Sequence, residues 1–84
     1  MTITVEFDER LTATLGAHGT YIRVEGETTV AELLDRLTQE FGREQLGPVF
    51  DRAEPTVVRR SAVASQPLAA GAGVFPGDRI RISA

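Results

Sequence analysis

The sequence predicts an α+β fold in which one main helix packs on one face of a mixed sheet of four to five strands. Three patterns indicate it: two early segments alternate polar and apolar residues, one segment repeats apolar residues at helical spacing, and a last segment alternates again. The 84 residues suit one domain, residues 1–84. A composition of 42% hydrophobic and 25% charged residues is typical of a folded protein.

The first two alternating segments predict a hairpin. Every second residue is apolar in residues 2–8, as in a strand with one buried face. Residues 20–25 alternate again, with Ile22 and Val24 on the apolar side. Between them, residues 9–19 lose the alternation and contain two glycines, which predicts a turn that joins two paired strands.

A helix is predicted over residues 30–41. Thr29 and Glu32 form a capping-box pattern, in which each side chain accepts a hydrogen bond from the other residue's backbone N–H. Gly42 is suited to end the helix. The apolar residues at helical spacing are Val30, Leu33, Leu34, Leu37 and Phe41. The residues expected at the centre of the core are Leu33, Leu37, Ile80 and Ile82.

The second half of the chain is less regular. Residues 43–55 contain two Pro-bearing turn signals and predict an irregular connection. Residues 56–64 predict a strand, but their pattern does not fix which residues pair with the neighbouring strand. Residues 66–73, which are rich in small residues, predict a loop. A turn at residues 76–78 precedes a strand over residues 79–83. Because the first and last strands each have an apolar face that the helix must cover, we expect them to be central neighbours.

Composition argues against several classes of function. The chain has no cysteine, which excludes disulfides, thiolate nucleophiles and zinc–cysteine sites. Its net charge of −3 argues against a nucleic-acid partner, because phosphates require a basic surface. No segment is apolar enough to span a membrane, and the N-terminus lacks the basic and apolar regions of a secretory signal. We therefore expect a cytoplasmic protein with no membrane partner.

Three polar groups have the residue types of a catalytic or ligand site, but a solvated loop explains each more simply. His18, the only histidine, has no nucleophile or orienting group near it in sequence. Asp51 and Glu54 lack further ligands for a metal. The glycine-bearing residues 71–73 lack the lysine and the following helix of a phosphate-binding loop. We predict no catalytic residue, no cofactor, no metal site and no enzymatic activity.

Two motifs resemble those of the ThiS/MoaD-type sulfur carriers, which are ubiquitin-like β-grasp proteins of molybdopterin and thiamine biosynthesis. They are Thr-Val-Ala-Glu-Leu-Leu at residues 29–34 and Pro-Gly-Asp-Arg-Ile-Arg-Ile at residues 76–82. Length and element order agree with the same family. The resemblance implies a β-grasp fold and a function through protein–protein interaction.

The same resemblance draws attention to the C-terminus. Members of the family carry sulfur on the carboxylate of a flexible tail that finishes in Gly-Gly, after that carboxylate has been adenylated. This chain finishes in Ser83-Ala84, directly after the last predicted strand. We therefore expect a carrier-like protein without a diglycine tail, in which Ala84 does not accept sulfur.

A partner-binding surface is predicted on the side of the sheet that faces away from the helix. An open sheet face is polar in any protein. Arginine and tyrosine, however, are also enriched at interfaces, and a basic face suits an acidic partner. The predicted surface consists of Tyr21, Arg23, Arg79 and Arg81, together with either Arg59 or Arg60 according to the register of the strand.

Three functions are compatible with these features. The first is a carrier-like protein without the diglycine tail that acts by binding other proteins. The second is a sulfur carrier of cofactor or natural-product biosynthesis, and the third is a non-catalytic accessory subunit of a larger enzyme. In each case the expected partner is a larger protein, such as an adenylating enzyme or a synthase subunit.

Overall fold

A five-stranded mixed sheet forms the centre of the computed structural model, which describes residues 1–52 and 54–83. The elements in chain order are β1 (Thr2–Phe7), α1 (Glu9–Leu15), β2 (Gly19–Arg23), β3 (Thr28–Thr29), α2 (Val30–Phe41), α3 (Arg43–Arg52), β4 (Thr56–Arg60), β5 (Ser65–Pro67), β6 (Gly73–Val74) and β7 (Arg79–Ser83). The strand order is β2-β1-β7-β4-β5, and a separate two-stranded ladder joins β3 to β6.

The first and last strands lie side by side in this sheet. β1 and β7 are parallel, whereas β1 and β2, β7 and β4, and β4 and β5 are antiparallel. The predictions of an N-terminal hairpin pairing and of central terminal strands are confirmed. This arrangement aligns the apolar sides of β1, β2 and β7 into one surface that α2 covers.

The core forms between that surface and the helices. Leu33 and Leu37 of α2 and Ile80 and Ile82 of β7 are all 0% exposed, as predicted. Phe41 is only half-buried and packs edge-to-face on Phe7, with ring centroids 5.6 Å apart. The other buried apolar residues are Ile3, Val5, Phe7, Leu11, Ile22, Val24, Val30, Leu46, Val57 and Val74.

The predicted helix over residues 30–41 is confirmed at both ends. The Thr29 hydroxyl accepts a hydrogen bond from the backbone N–H of Glu32 at 3.2 Å. The Glu32 carboxylate accepts one from the Thr28 hydroxyl at 2.6 Å, which differs from the backbone contact that a capping box predicts. Gly42 ends the helix with φ 96°, and its N–H donates to the Thr38 carbonyl.

The glycine-bearing connection predicted over residues 9–19 joins β1 to β2, but Glu9–Leu15 within it form helix α1, which was not predicted. The Asp8 side chain accepts a hydrogen bond from the Leu11 N–H at 2.9 Å and so caps the first turn. Gly16, at φ 73°, ends the helix in the left-handed conformation that glycine adopts without strain. Burial of Leu11 anchors this short helix to the core.

Two further predictions are corrected. Residues 43–55, predicted to be irregular, contain helix α3. Pro48 lies inside this helix and has no backbone N–H, so one helical hydrogen bond is missing. Burial of Leu46, with Val49 half-buried against the core, outweighs that loss. The loop predicted over residues 66–73 overlaps the short edge strand β5, where Pro67 is tolerated because an edge strand leaves half of its backbone unpaired.

Candidate protein-binding face

The register of the sheet brings the predicted surface residues together. Directly paired residues on neighbouring strands point to the same side of a sheet. Thr4 of β1 pairs with Tyr21 on one side and with Arg79 on the other. We call the side of the sheet facing away from α2 the outer face, and its side chains are Thr2, Thr4, Glu6, Tyr21, Arg23, Thr56, Val58, Arg60, Ser65, Pro67, Arg79, Arg81 and Ser83.

The pairing of β4 with β7 resolves which arginine of β4 belongs to this face. Arg60 pairs with Arg79 and lies on the outer face, whereas Arg59 pairs with the buried Ile80 and points to the opposite side. The sequence pattern left this choice open because two apolar residues precede two arginines without alternation.

Arg59 has a structural position instead. Its Nε lies 3.1 Å from Oδ2 of Asp78, and its Nη2 donates to the Gly73 carbonyl at 2.5 Å. Its guanidinium carbon lies 5.9 Å from the centroid of the Phe75 ring, within the range of a cation–π contact. These contacts tie β4 to the segment that leads into β7, so we do not count Arg59 as part of the binding face.

The turn before β7 has the geometry that its sequence predicts. The Asp78 N–H donates to the Phe75 carbonyl at 3.0 Å, and Gly77 has φ 91°. Proline second and glycine third are the residues of a type II turn. Asp78 Oδ2 also accepts from the Phe75 N–H at 3.0 Å. The Pro-Gly-Asp motif therefore sets the direction in which β7 enters the sheet.

Glu6 is a member of the outer face that the sequence prediction did not include. Its Oε2 lies 3.3 Å from Arg60 Nη1, and its Oε1 lies 3.5 Å from Arg79 Nε. Among the residues that the structure describes, Arg23 and Arg81 form no ion pair. The alternation of β1 already places Glu6 on this side, so the signal was present in the sequence.

The outer face is therefore strongly but not uniformly basic. Its strand positions hold four arginines and one glutamate, although the whole chain has a net charge of −3. Tyr21, at its β2 end, is 70% exposed. The face can thus offer two guanidinium groups without an ion pair among the described residues, a centre where Glu6 partly offsets the charge of Arg60 and Arg79, and an exposed aromatic ring.

The other polar groups considered from the sequence are not brought into a site. His18 is exposed in the loop before β2, and Asp51 lies in the last turn of α3. Across residues 1–52 and 54–83, no three histidine or acidic side chains are grouped to hold a metal ion. None of the helices described has the length and apolar character needed to cross a bilayer. Ala84, the C-terminal position predicted not to accept sulfur, lies outside the described residues.

Comparison with known proteins gives structural matches only. No protein-family model matches the sequence, and no curated protein matches it. The crystal structure of SAMP1 from Haloferax volcanii superposes with a TM-score of 0.78 at 20% identity, covering 98% of this chain and 92% of that one. A structure of H. volcanii small archaeal modifier protein 1 gives 0.77 at 20% identity, covering 98% and 94%. The chain thus has the ubiquitin-like β-grasp fold of these small modifier proteins, as predicted.

Proposed function

We propose that this chain is a non-catalytic protein-binding module that docks on an acidic surface of a larger protein through its outer face. The observation that carries the proposal is the separation of charge. Four arginines share one sheet face of an acidic protein, and two of them have no ion pair among the described residues. Such a face attracts an acidic partner and orients it during the encounter.

The residue types on this face favour binding over simple solvation. Threonine and serine are sufficient to make an open sheet face polar. A guanidinium group instead presents a planar set of donors that matches a carboxylate, and it is more weakly hydrated than an ammonium group. Tyr21 adds an exposed ring with a polar tip, of the type that carries much of the energy in protein interfaces.

A larger protein with a complementary acidic patch is the partner that this face suits. An adenylating enzyme or a synthase subunit that carries such a patch would be an example. The likeness of the fold to small archaeal modifier proteins supports a function performed through protein partners. The proposal makes the chain an accessory or carrier-like component rather than a catalyst.

Reversing the two arginines without ion pairs, R23E with R81E, is expected to slow association with the partner by about tenfold or more, since steering by charge contributes that much to on-rates. The partner is first co-purified from the native organism. Association is then followed by surface plasmon resonance at several salt concentrations. Wild-type binding should weaken as salt rises, and the variant should lose most of that dependence.

The control is the double variant R10E with R43E, which changes the net charge equally at exposed positions of α1 and α3. It should bind nearly as well as the wild type. Equal binding by the outer-face variant and the wild type would contradict the proposal. Equal losses in both variants would show that net charge, rather than this face, governs the association.

A second candidate function is that of a sulfur carrier, and the fold likeness to small modifier proteins favours it. The test is intact-protein mass spectrometry after incubation with ATP, a sulfide source and an activating enzyme from the same organism. A mass gain equal to replacement of one oxygen by sulfur supports the carrier function. An unchanged mass, when the same enzyme loads its own carrier, leaves the docking function as the better account.

A further inference from the structure

We propose that the open edge of β2 is a second binding site, which takes an extended segment of another protein as an added strand. The segment that fits has basic side chains at alternate positions on the α2 side and acidic ones on the outer-face side. This mode of recognition uses backbone hydrogen bonds for affinity and alternate side chains for specificity. It shares Tyr21 and Arg23 with the outer face, but its occupant pairs with the edge of the sheet rather than covering that face.

The hydrogen bonds at both ends of the β1–β2 pairing set its phase. The Val24 N–H donates to the Met1 carbonyl at 3.0 Å, and the Phe7 N–H donates to the His18 carbonyl at 2.8 Å. In an antiparallel pair, hydrogen-bonded positions recur at every second residue. The register therefore assigns the positions between these ends without ambiguity.

That phase turns the backbone of Ile22 toward β1 and the backbone groups of Tyr21 and Arg23 toward the open side. An independent contact agrees with the assignment. The Arg36 guanidinium of α2 donates to the Arg23 carbonyl, which it reaches from the open side. The Tyr21 N–H and carbonyl and the Arg23 N–H therefore face the position that an added strand would occupy.

The two edges of the sheet differ in how they are protected. β5, at one edge, has three residues and ends in Pro67, which blocks further pairing. β2, at the other edge, has five residues, contains no proline and carries one charged residue, Arg23. Of the two edges, the longer one without proline is better suited to accept another strand.

A groove beside the β2 edge supplies the charge preference. It has a volume of about 670 Å³ and lies between α2 and the segment that follows β2. Four acidic and two basic residues line it: Glu25, Glu27, Glu32 and Asp35, and Arg23 and Arg36. Arg36 is already engaged with the Arg23 carbonyl. Side chains of an added strand that point toward α2 would therefore meet a net negative charge.

The opposite side of the same added strand would meet the outer face. Successive side chains of a strand point to opposite faces of the sheet. Tyr21 and Arg23 lie next to those that point outward. A segment with basic and acidic residues in alternation thus matches both sides, while a second copy of this chain does not. β2 itself carries one charged residue, Arg23, so a second copy offers neither the basic side chains for the α2 side nor the acidic ones for the outer-face side.

The probe is a blocked peptide of about eight residues, a usual strand length, in which Lys and Asp alternate. A peptide of the same composition in two blocks is the control. Nuclear magnetic resonance hydrogen exchange should show the Tyr21 and Arg23 amides exchanging rapidly in the free protein. The alternating peptide should slow both by about tenfold or more, and the block peptide should not. Absence of protection at about 5 mM peptide, above the Kd of most weak specific contacts, overturns the proposal.

Two variants at one position separate backbone pairing from side-chain docking. Y21P removes the N–H that faces the open edge and leaves the bonds from Ile22 to β1 in place, whereas Y21A keeps that N–H and removes the ring. We expect Y21P to weaken peptide binding by about tenfold and Y21A to weaken it by less than threefold. Equal binding by the two variants overturns the proposal.

A charge variant tests the groove without altering the strand backbone. This test can therefore be made even if Y21P does not fold. E25Q with D35N, both at exposed positions, should weaken binding of the alternating peptide by several-fold. Unchanged binding by this variant overturns the assigned charge pattern.

Protection of the Tyr21 and Arg23 amides in the free protein, with a dimeric mass in solution, would assign the edge to a second copy. Loss of outer-face binding in R23E with R81E is a separate result, because its readout is the co-purified partner.

Discussion

Replacing Leu37 with alanine is expected to lower the free energy of unfolding by about 2–5 kcal/mol, the usual loss when a buried leucine is truncated. Leu37 is 0% exposed and lies in the middle of α2, where the helix covers the sheet. Truncation removes buried apolar area and leaves a cavity that the neighbouring strands cannot close. Small domains have about 5–15 kcal/mol of total stability, so the loss is a large fraction of it.

Urea denaturation followed by circular dichroism measures this change. Q39A, at an exposed position of the same helix, is the control and should alter stability by no more than about 0.5 kcal/mol. If L37A does not fold at all, L37M keeps most of the volume and should cost less than about 1.5 kcal/mol. A loss below about 1 kcal/mol for L37A would contradict the burial of Leu37.

Replacing Gly19 with alanine is expected to cost about 1–3 kcal/mol, as overpacking of a close contact usually does. A Cβ atom at this position would lie 2.3 Å from the Val5 carbonyl oxygen, which belongs to the paired backbone of β1. Backbone cannot move aside as a flexible side chain can, so the start of β2 must shift.

Thermal unfolding of G19A and G26A provides the matched comparison. A Cβ at Gly26 meets no atom within 4 Å, so G26A should leave the melting temperature nearly unchanged or raise it slightly. G19A should lower the melting temperature by several degrees, in proportion to its cost. Equal melting temperatures for the two variants would contradict the close approach of β1 and β2 at this point.

The elements with a long, regular pattern are those that the sequence predicted. Strong alternation predicted β1, β2 and β7, and apolar spacing with a capping threonine predicted α2. The helix α1 was missed because its seven residues bury only Leu11 fully, too few to set up a helical period. The spacing of Asp8 and Gly16, one at each end, was the available signal.

The missed helix α3 and the choice between Arg59 and Arg60, which the sequence left open, have a common physical cause: contacts distant in sequence outweigh local preferences. Helix α3 forms around Pro48 because Leu46 and its neighbours reach the core. The side on which Arg59 lies depends on Asp78 and Gly73, which only the folded chain brings near it. The alternation of β1 already placed Glu6 on the outer face, but its ion pairs with Arg60 and Arg79 depend on the strand register and could not be predicted.

The parallel pairing of β1 with β7 has a consequence for how quickly this protein reaches its native state. Thr4 and Arg79 are partners across almost the whole length of the chain, so the centre of the sheet closes the largest loop available. Closing that loop loses chain entropy before any core contact compensates, and topologies dominated by such pairings fold slowly for their size. During synthesis, the side of β1 that β7 will occupy remains open until the last strand has emerged. Chaperone dependence and aggregation of nascent chains are therefore expected to be most pronounced in this interval.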